Sequence, residues 1–281
     1  MDTSPLQGIW GPVTSTLDWC EANYQFSPYV AEVANTFSNL FTIGIALYGA
    51  HLVSKESLPS RYLVGFAGVA LVGIGSFAFH ATLLYQAQLA DELPMIYISS
   101  YNIFILFETK RGFTLQSTSS QIALLAALLF DIAFTLSYFA YRNPVYHQIV
   151  FASLLFIATY RTTYLLRWSE TSKTIPNKKK TMCKQLYYTG AALFAFGFLI
   201  WNVDNIFCDA LTHWKKSLGW PVAFLLEGHS WWHAYTAAGA YFMHTGTICT
   251  TLCIKDDHHK YRVKYQLGLP HVQRVHKTKL N

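Results

Sequence analysis

Residues 225–244 read LLEGHSWWHAYTAAGAYFMH, a run apolar enough for lipid that nonetheless carries His229 and His233. Positions i and i+4 share one face of a helix, so the two imidazoles point the same way. Ionisable groups at membrane depth are expensive and mark a function by default. Two points decide how this stretch is read. One is whether the rest of the chain is also a set of membrane helices; the other is which polar residues reach the same depth.

Composition answers the first. Of 281 residues, 52% are hydrophobic and 13% charged, where a soluble domain carries about a quarter charged residues. The net charge of +6 is spread over short segments between apolar stretches. That is the placement of membrane topology and not of a nucleic-acid footprint. With roughly 20 residues needed to cross a bilayer core, spans fall near 33–53, 62–85, 93–109, 121–141, 145–166, 186–206 and 221–252. The sequence thus predicts an all-α, seven-transmembrane helix bundle over 33–254, between an N-terminal segment 1–32 and a basic tail 255–281. The third span is the most polar, with Asp91 and Glu92 at its start and Glu108 at its end. Pro221 suits the first turn of the last span.

Segment 1–32 is acidic and aromatic, without the basic and apolar regions of a cleavable signal, so the first span is expected to serve as the membrane signal. With the N-terminus outside, 18 of the 21 Lys and Arg lie on the inner side; only Arg142, Lys215 and Lys216 lie outside. The positive-inside rule then gives a lumenal N-terminus and a cytosolic C-terminus.

That topology answers the second point. Ser76 and His80 are four apart at the outer end of span two, and Asp91 opens span three on the same side. His229 and His233 begin span seven there too. Three histidines, a serine and an aspartate from three helices therefore meet at one depth. Three imidazoles with an open position form the ligand set of a catalytic zinc, which makes hydroxide available near neutral pH and polarises a carbonyl. Asp91 is placed to act as general base and acid, and Ser76 to donate to a developing oxyanion. A single membrane histidine is as readily an interhelical hydrogen-bond donor; three at one depth, two at ligand spacing, favour metal. His244 lies about 16 Å further along its helix than His233 and cannot share that metal. His147 is a weaker candidate, and His258, His259, His271 and His276 read as solvated tail. Asp131 pairs with a neighbouring helix, and the WNVDN motif at 201–205 is either interfacial or packed behind the site.

The chain resembles the alkaline ceramidases, and among them the phytoceramidase-like branch. The resemblance rests on GIWGPVTSTLDWCEANY, AEVANTFSNL, GSFAFHATLLYQAQLADELPMIY, IWNVDNIFCD and HSWWH, and covers nearly the whole length. It implies a zinc amidase that cleaves the N-acyl bond of ceramides, including phytoceramide or dihydroceramide, to a fatty acid and a sphingoid base. Its zinc ligands fall on His80, His229 and His233, and its catalytic pair on Ser76 and Asp91. It further implies a regulatory calcium (Ca2+) site at Asp18, Trp19, Glu21, Asn23 and Glu32; calcium takes six to eight hard oxygens. Without the resemblance that acidic segment reads as solvated surface.

Of five cysteines, only Cys20 and Cys208 face the lumen in this topology, so a disulfide between them is expected; Cys183, Cys249 and Cys253 are expected as free thiols. The terminal HKTKLN resembles a dilysine retrieval signal and points to the endoplasmic reticulum or Golgi. The expected substrate is ceramide drawn from the bilayer, with membrane lipid as the surrounding partner and no nucleic acid. The competing class is a non-catalytic seven-span lipid-sensing receptor with a structural zinc (Zn2+). An odd number of spans without an inverted repeat argues against a transporter.

Overall fold

The computed structural model describes residues 8–275; the HKTKLN terminus lies outside the described residues. The fold is mostly helical: α1 Val33–Lys55, α2 Arg61–Thr82, α3 Tyr85–Phe107, α4 Thr118–Ala140, α5 Pro144–Arg167, α6 Asn177–Ile206, α7 Cys208–Leu218 and α8 Gly228–Lys255. Five of these, α1, α2, α4, α5 and α6, are long and apolar enough to cross a membrane. Their exposed faces are apolar: Ile122, Leu125, Leu128, Leu129, Ile132 and Leu136 stand out from α4, as befits a helix whose solvent is lipid. The helices α3 and α8 are long enough but carry Asp91, Glu92, His229, His233 and His244, and these polar groups keep them out of the apolar set.

The chain divides into two compact units. The first comprises residues up to 46, 69–95 and 192–240. Here the N-terminal segment is laid onto the end of α2. Ala31 N donates to Ala81 O at 2.9 Å, Glu32 N to His80 O at 3.0 Å, and Thr14 N and Ser15 N to Leu83 O. A small core of Tyr24, Ala31, Phe79 and Leu83 forms under Leu17 and Trp19. Both carboxylate oxygens of Glu21 accept backbone amides from the first turn of α1, Ala34 N at 2.7 Å and Asn35 N at 2.8 Å. A carboxylate at a helix N-terminus satisfies orphan donors and complements the helix dipole. Asp204 serves α8 likewise, accepting from Gly228 N at 3.0 Å; this gives the WNVDN motif a structural reason.

The stretch before α8 departs from the expected single span over 221–252. Pro221 precedes a short 3-10 turn at Val222–Leu226, and α8 begins only at Gly228. The separate helix α7 lies where an outer loop was expected. It starts at Cys208, which is disulfide-bonded to Cys20 with 5.4 Å between the Cα atoms. Buried Lys215 on α7 donates to Cys20 O and to Glu227 Oε2, both at 2.9 Å.

The second unit comprises residues 47–68, 96–191 and those from 241 onward. Glu108 is the hub of a buried ion network, accepting from Arg61 at 2.5 Å and from Lys255. Ser100 Oγ donates to Asp131 at 2.7 Å, the α3–α4 partner expected for an acid in mid-span. The tail departs from an all-α fold. Strands β1 Tyr261–Gln266 and β2 Leu269–Arg274 form an antiparallel hairpin, turned at Leu267 and Gly268, both at positive φ. His271, expected as solvated tail, is buried. Glu56 accepts from Arg274 N and Gln273 Nε2 and ties the hairpin to the end of α1.

Candidate active site

Every residue of the candidate site belongs to the first unit. Gly75 sets its geometry: a Cβ there would collide with the carbonyl of Ala90 and come within 2.7 Å of Asp91 N. Lacking one, α2 approaches the backbone of α3 closely enough for Ser76 to hydrogen-bond the Asp91 carboxyl. Ser76 Oγ also accepts from Asn39 Nδ2 at 3.0 Å and lies 3.4 Å from His233 Nε2. Ser76 is buried, whereas Asp91 is partly exposed.

Next to this pair the imidazoles of His80, His229 and His233 form a buried cluster, their ligand atoms within 4.8 Å of one another. Ring centroids are 4.9 Å apart from His80 to either partner and 4.6 Å from His229 to His233. Nitrogens on these rings are already spoken for. His80 Nδ1 meets Glu32 Oε2 at 2.5 Å, and His233 Nδ1 meets Ser38 Oγ at 2.7 Å. By contrast, His80 Nε2 and His229 Nδ1 are buried without any hydrogen-bond partner. Orphaned buried nitrogens are costly, and three converging imidazoles oriented by a carboxylate and a hydroxyl fit a metal ion. The remaining membrane histidine of α8 is accounted for otherwise: His244 spends both ring nitrogens, at 3.0 Å each, on Asn102 Oδ1 and Tyr62 O in the second unit.

The acidic N-terminal residues lie beside this cluster. The Trp19 ring stacks on His229, with centroids 3.8 Å apart at 23°, and meets Trp201 edge-on at 5.9 Å. Glu32 Oε1 and Asn23 Oδ1 are buried without partners, and hard oxygens of this kind fit a cation such as calcium. Glu21 fits less fully, since each of its oxygens already serves a backbone amide. Burial pushes Glu21 up from its ordinary 4.5 to about 7, against the pull of the Ala34 and Asn35 amides, with Glu32 raising it further and Lys215 lowering it. Among the described residues Asp18, Glu21 and Glu32 do not close into one tight ligand group; Asp18 caps its neighbour Trp19 N at 3.1 Å.

Sequence reasoning missed the second roles of these residues. Glu32 orients His80, Trp19 covers His229, and Ser38 with Asn39 holds His233 and Ser76. The signal lay in AEVANTFSNL, whose Glu32, Asn35, Ser38 and Asn39 fall on one helical face at three- and four-residue spacing.

Fold and site together define a helical membrane protein with a buried three-histidine cluster able to hold a metal ion. The family model for Ceramidase matches residues 11–273. Alkaline ceramidase 3 of Mus musculus is 35% identical over 264 residues, covering 94% of this chain and 93% of the relative. Alkaline ceramidase YPC1 of Saccharomyces cerevisiae is 35% identical over 249 residues, 85% of this chain and 77% of the relative. An Arabidopsis thaliana alkaline ceramidase is 28% identical over 95% of this chain and 96% of its own. The chain belongs to the ceramidase family and is an enzyme of that family of hydrolases.

Proposed function

We propose that this protein is an intramembrane zinc-dependent amidase that hydrolyses the N-acyl bond of ceramides, phytoceramide and dihydroceramide among them, releasing a fatty acid and a sphingoid base. One observation carries the reading: in a ceramidase-family chain, the orphaned nitrogens of His80 and His229 converge with His233 beside a hydrogen-bonded Ser76–Asp91 pair.

His80, His229 and His233 would hold the zinc. Bound there, zinc supplies Lewis acidity toward the amide carbonyl and brings the pKa of water down to about 7. Asp91 takes the proton from the attacking water on its carboxylate and returns it to the departing amine nitrogen. Ser76 Oγ, which accepts from Asn39, turns its proton toward the carbonyl oxygen as negative charge develops there. Glu32 keeps the His80 Nδ1 proton in place, which fixes the tautomer that leaves Nε2 free to bind. The Trp19 face shields His229 from bulk water.

We further propose seven spans, with α3 and α8 completing the five apolar helices, a lumenal segment 1–32 and a cytosolic tail 255–281. The two polar helices are those that carry the site, and polar groups inside a membrane protein face its interior. The active site then opens near the lumenal face, in the endoplasmic reticulum or Golgi, and ceramide enters from the bilayer. Calcium would take Glu32, Asn23, Asp18, the Trp19 backbone and Glu21, clamping the segment that orients His80.

The test is ceramide hydrolysis by purified protein, with sphingoid base and bound zinc both quantified. His80→Ala is expected to lose metal and turnover together, and Asp91→Asn to lose turnover while keeping metal. Retained hydrolysis in both variants would sink the mechanism.

A further inference from the structure

The second unit holds another cluster of metal-ligating side chains, one that amide hydrolysis does not use. Cys249 and Cys253 are four apart on α8, and Cys183 faces them from α6. All three are buried free cysteines, Cys183 completely so, and their sulfurs lie within 4.8 Å of one another. Cys183 and Cys249 are in contact at 2.9 Å. Two thiolates on one cation at about 2.3 Å each lie no more than about 4.6 Å apart, so small side-chain rotations bring this triangle to ligating distance.

A lone buried cysteine is an ordinary small hydrophobe. Three from two helices, sharing one point, are a soft-ligand set. The surroundings supply what three thiolates need. Lys179, one turn before Cys183 on α6, brings positive charge to Cys253, and its ammonium is fixed by donating to Tyr261 O on β1. His258, in the turn that follows α8, also acts electrostatically on Cys253. Its Nδ1 is buried with no hydrogen-bond partner.

We infer that Cys183, Cys249 and Cys253 form a second metal site, for a thiophilic d10 cation of the zinc(II) or copper(I) class. Soft thiolates select such cations over hard ones. Each thiol releases its proton to solvent on binding, and Lys179 offsets part of the charge that remains. His258, whose charge acts on Cys253 and whose Nδ1 has no partner, would supply the fourth position of a Cys3His set with zinc, whereas copper(I) needs only the three sulfurs. The bound ion would pin α6 to α8 beside the C-terminal hairpin.

Cobalt(II) titration of the purified, reduced protein tests this, because sulfur-to-cobalt charge transfer gives a near-ultraviolet band that imidazole ligation cannot produce. The band should saturate at about one equivalent. It should persist in His80→Ala and disappear in Cys253→Ser. Zinc and copper(I) should each be added against the cobalt form, and the ion that erases the band at the lower concentration identifies the class. Should Cys253→Ser not fold, alkylation of the wild-type thiols read by mass spectrometry serves instead. Bound zinc or copper(I) should slow modification of Cys249 and Cys253 by more than about tenfold. No band in the wild type, a band that survives Cys253→Ser, or equal alkylation with and without metal would overturn the inference.

Discussion

Glu32 shows how closely the candidate site is built at the scale of single residues. Its Oε2 sits 2.5 Å from His80 Nδ1 and accepts from Asn35 Nδ2 at 3.1 Å, so one carboxylate fixes a histidine of the candidate metal cluster and the first turn of α1 together. Outer-shell partners of this kind contribute about 10- to 100-fold to metal affinity. Glu32→Gln is therefore expected to weaken zinc binding by that factor, measured by chelator competition, and excess zinc should restore much of the turnover. A variant with unchanged affinity would detach Glu32 from the metal. Ser76→Ala should lower kcat by about 10²- to 10³-fold with zinc content unchanged. The convergence of His80, His229 and His233 near Ser76 and Asp91 was legible in the sequence because helical spacing and membrane depth are one-dimensional properties. The pairing of Glu32 with His80 spans 48 residues and that of Ser38 with His233 spans 195; no periodicity encodes either, and only folding reveals them.

At the scale of elements, the close approach of α2 to α3 depends on Gly75. Gly75→Ala forces backbone apart where overpacking costs about 1–3 kcal/mol. A lowered Tm with activity falling further than stability is the expected outcome; wild-type activity would show that the Ser76–Asp91 contact does not depend on this approach. The N-terminus of α1 carries a pH dependence. Because burial raises Glu21 to about 7 from 4.5, the folded protein holds a proton there that the unfolded chain has released. Stability from this group is present in full below pH 4.5 and is lost as pH rises through about 7. A cation taken by the ionised carboxylate reverses the trend. The calcium-induced rise in Tm should accordingly be larger at about pH 7.5 than at about pH 5.5, which lie above and below the raised Glu21 value of about 7, and Glu21→Gln should flatten it. A calcium effect independent of pH and of Glu21 would count against that residue as a ligand. Element boundaries were less legible than element identity. The amphipathic α7 was hidden by its polarity, and the hairpin was masked by the basic residues that suggested a solvated tail.

For the molecule as a whole, the Cys20–Cys208 bond closes a loop of 188 residues and holds α7 against the segment that covers the site. Loss of a native disulfide costs about 2–5 kcal/mol, and Cys208→Ala should lower Tm accordingly and weaken the retention of metal, since Lys215 and Trp19 lose their anchor together. Composition predicts seven spans, and five helices are apolar enough to cross a membrane; the polarity that takes α3 and α8 out of that set includes the candidate site residues Asp91, His229 and His233. Function and hydropathy compete at the same positions. The central claim is that the three imidazoles hold a zinc ion on which amide hydrolysis depends. The most direct measurement is turnover of ceramide by purified protein stripped of metal, then resupplied with zinc, beside His229→Ala treated the same way. Loss of activity on stripping, recovery with about one equivalent of zinc, and no recovery in His229→Ala are the predicted results. Full ceramide hydrolysis by the metal-free protein would contradict them.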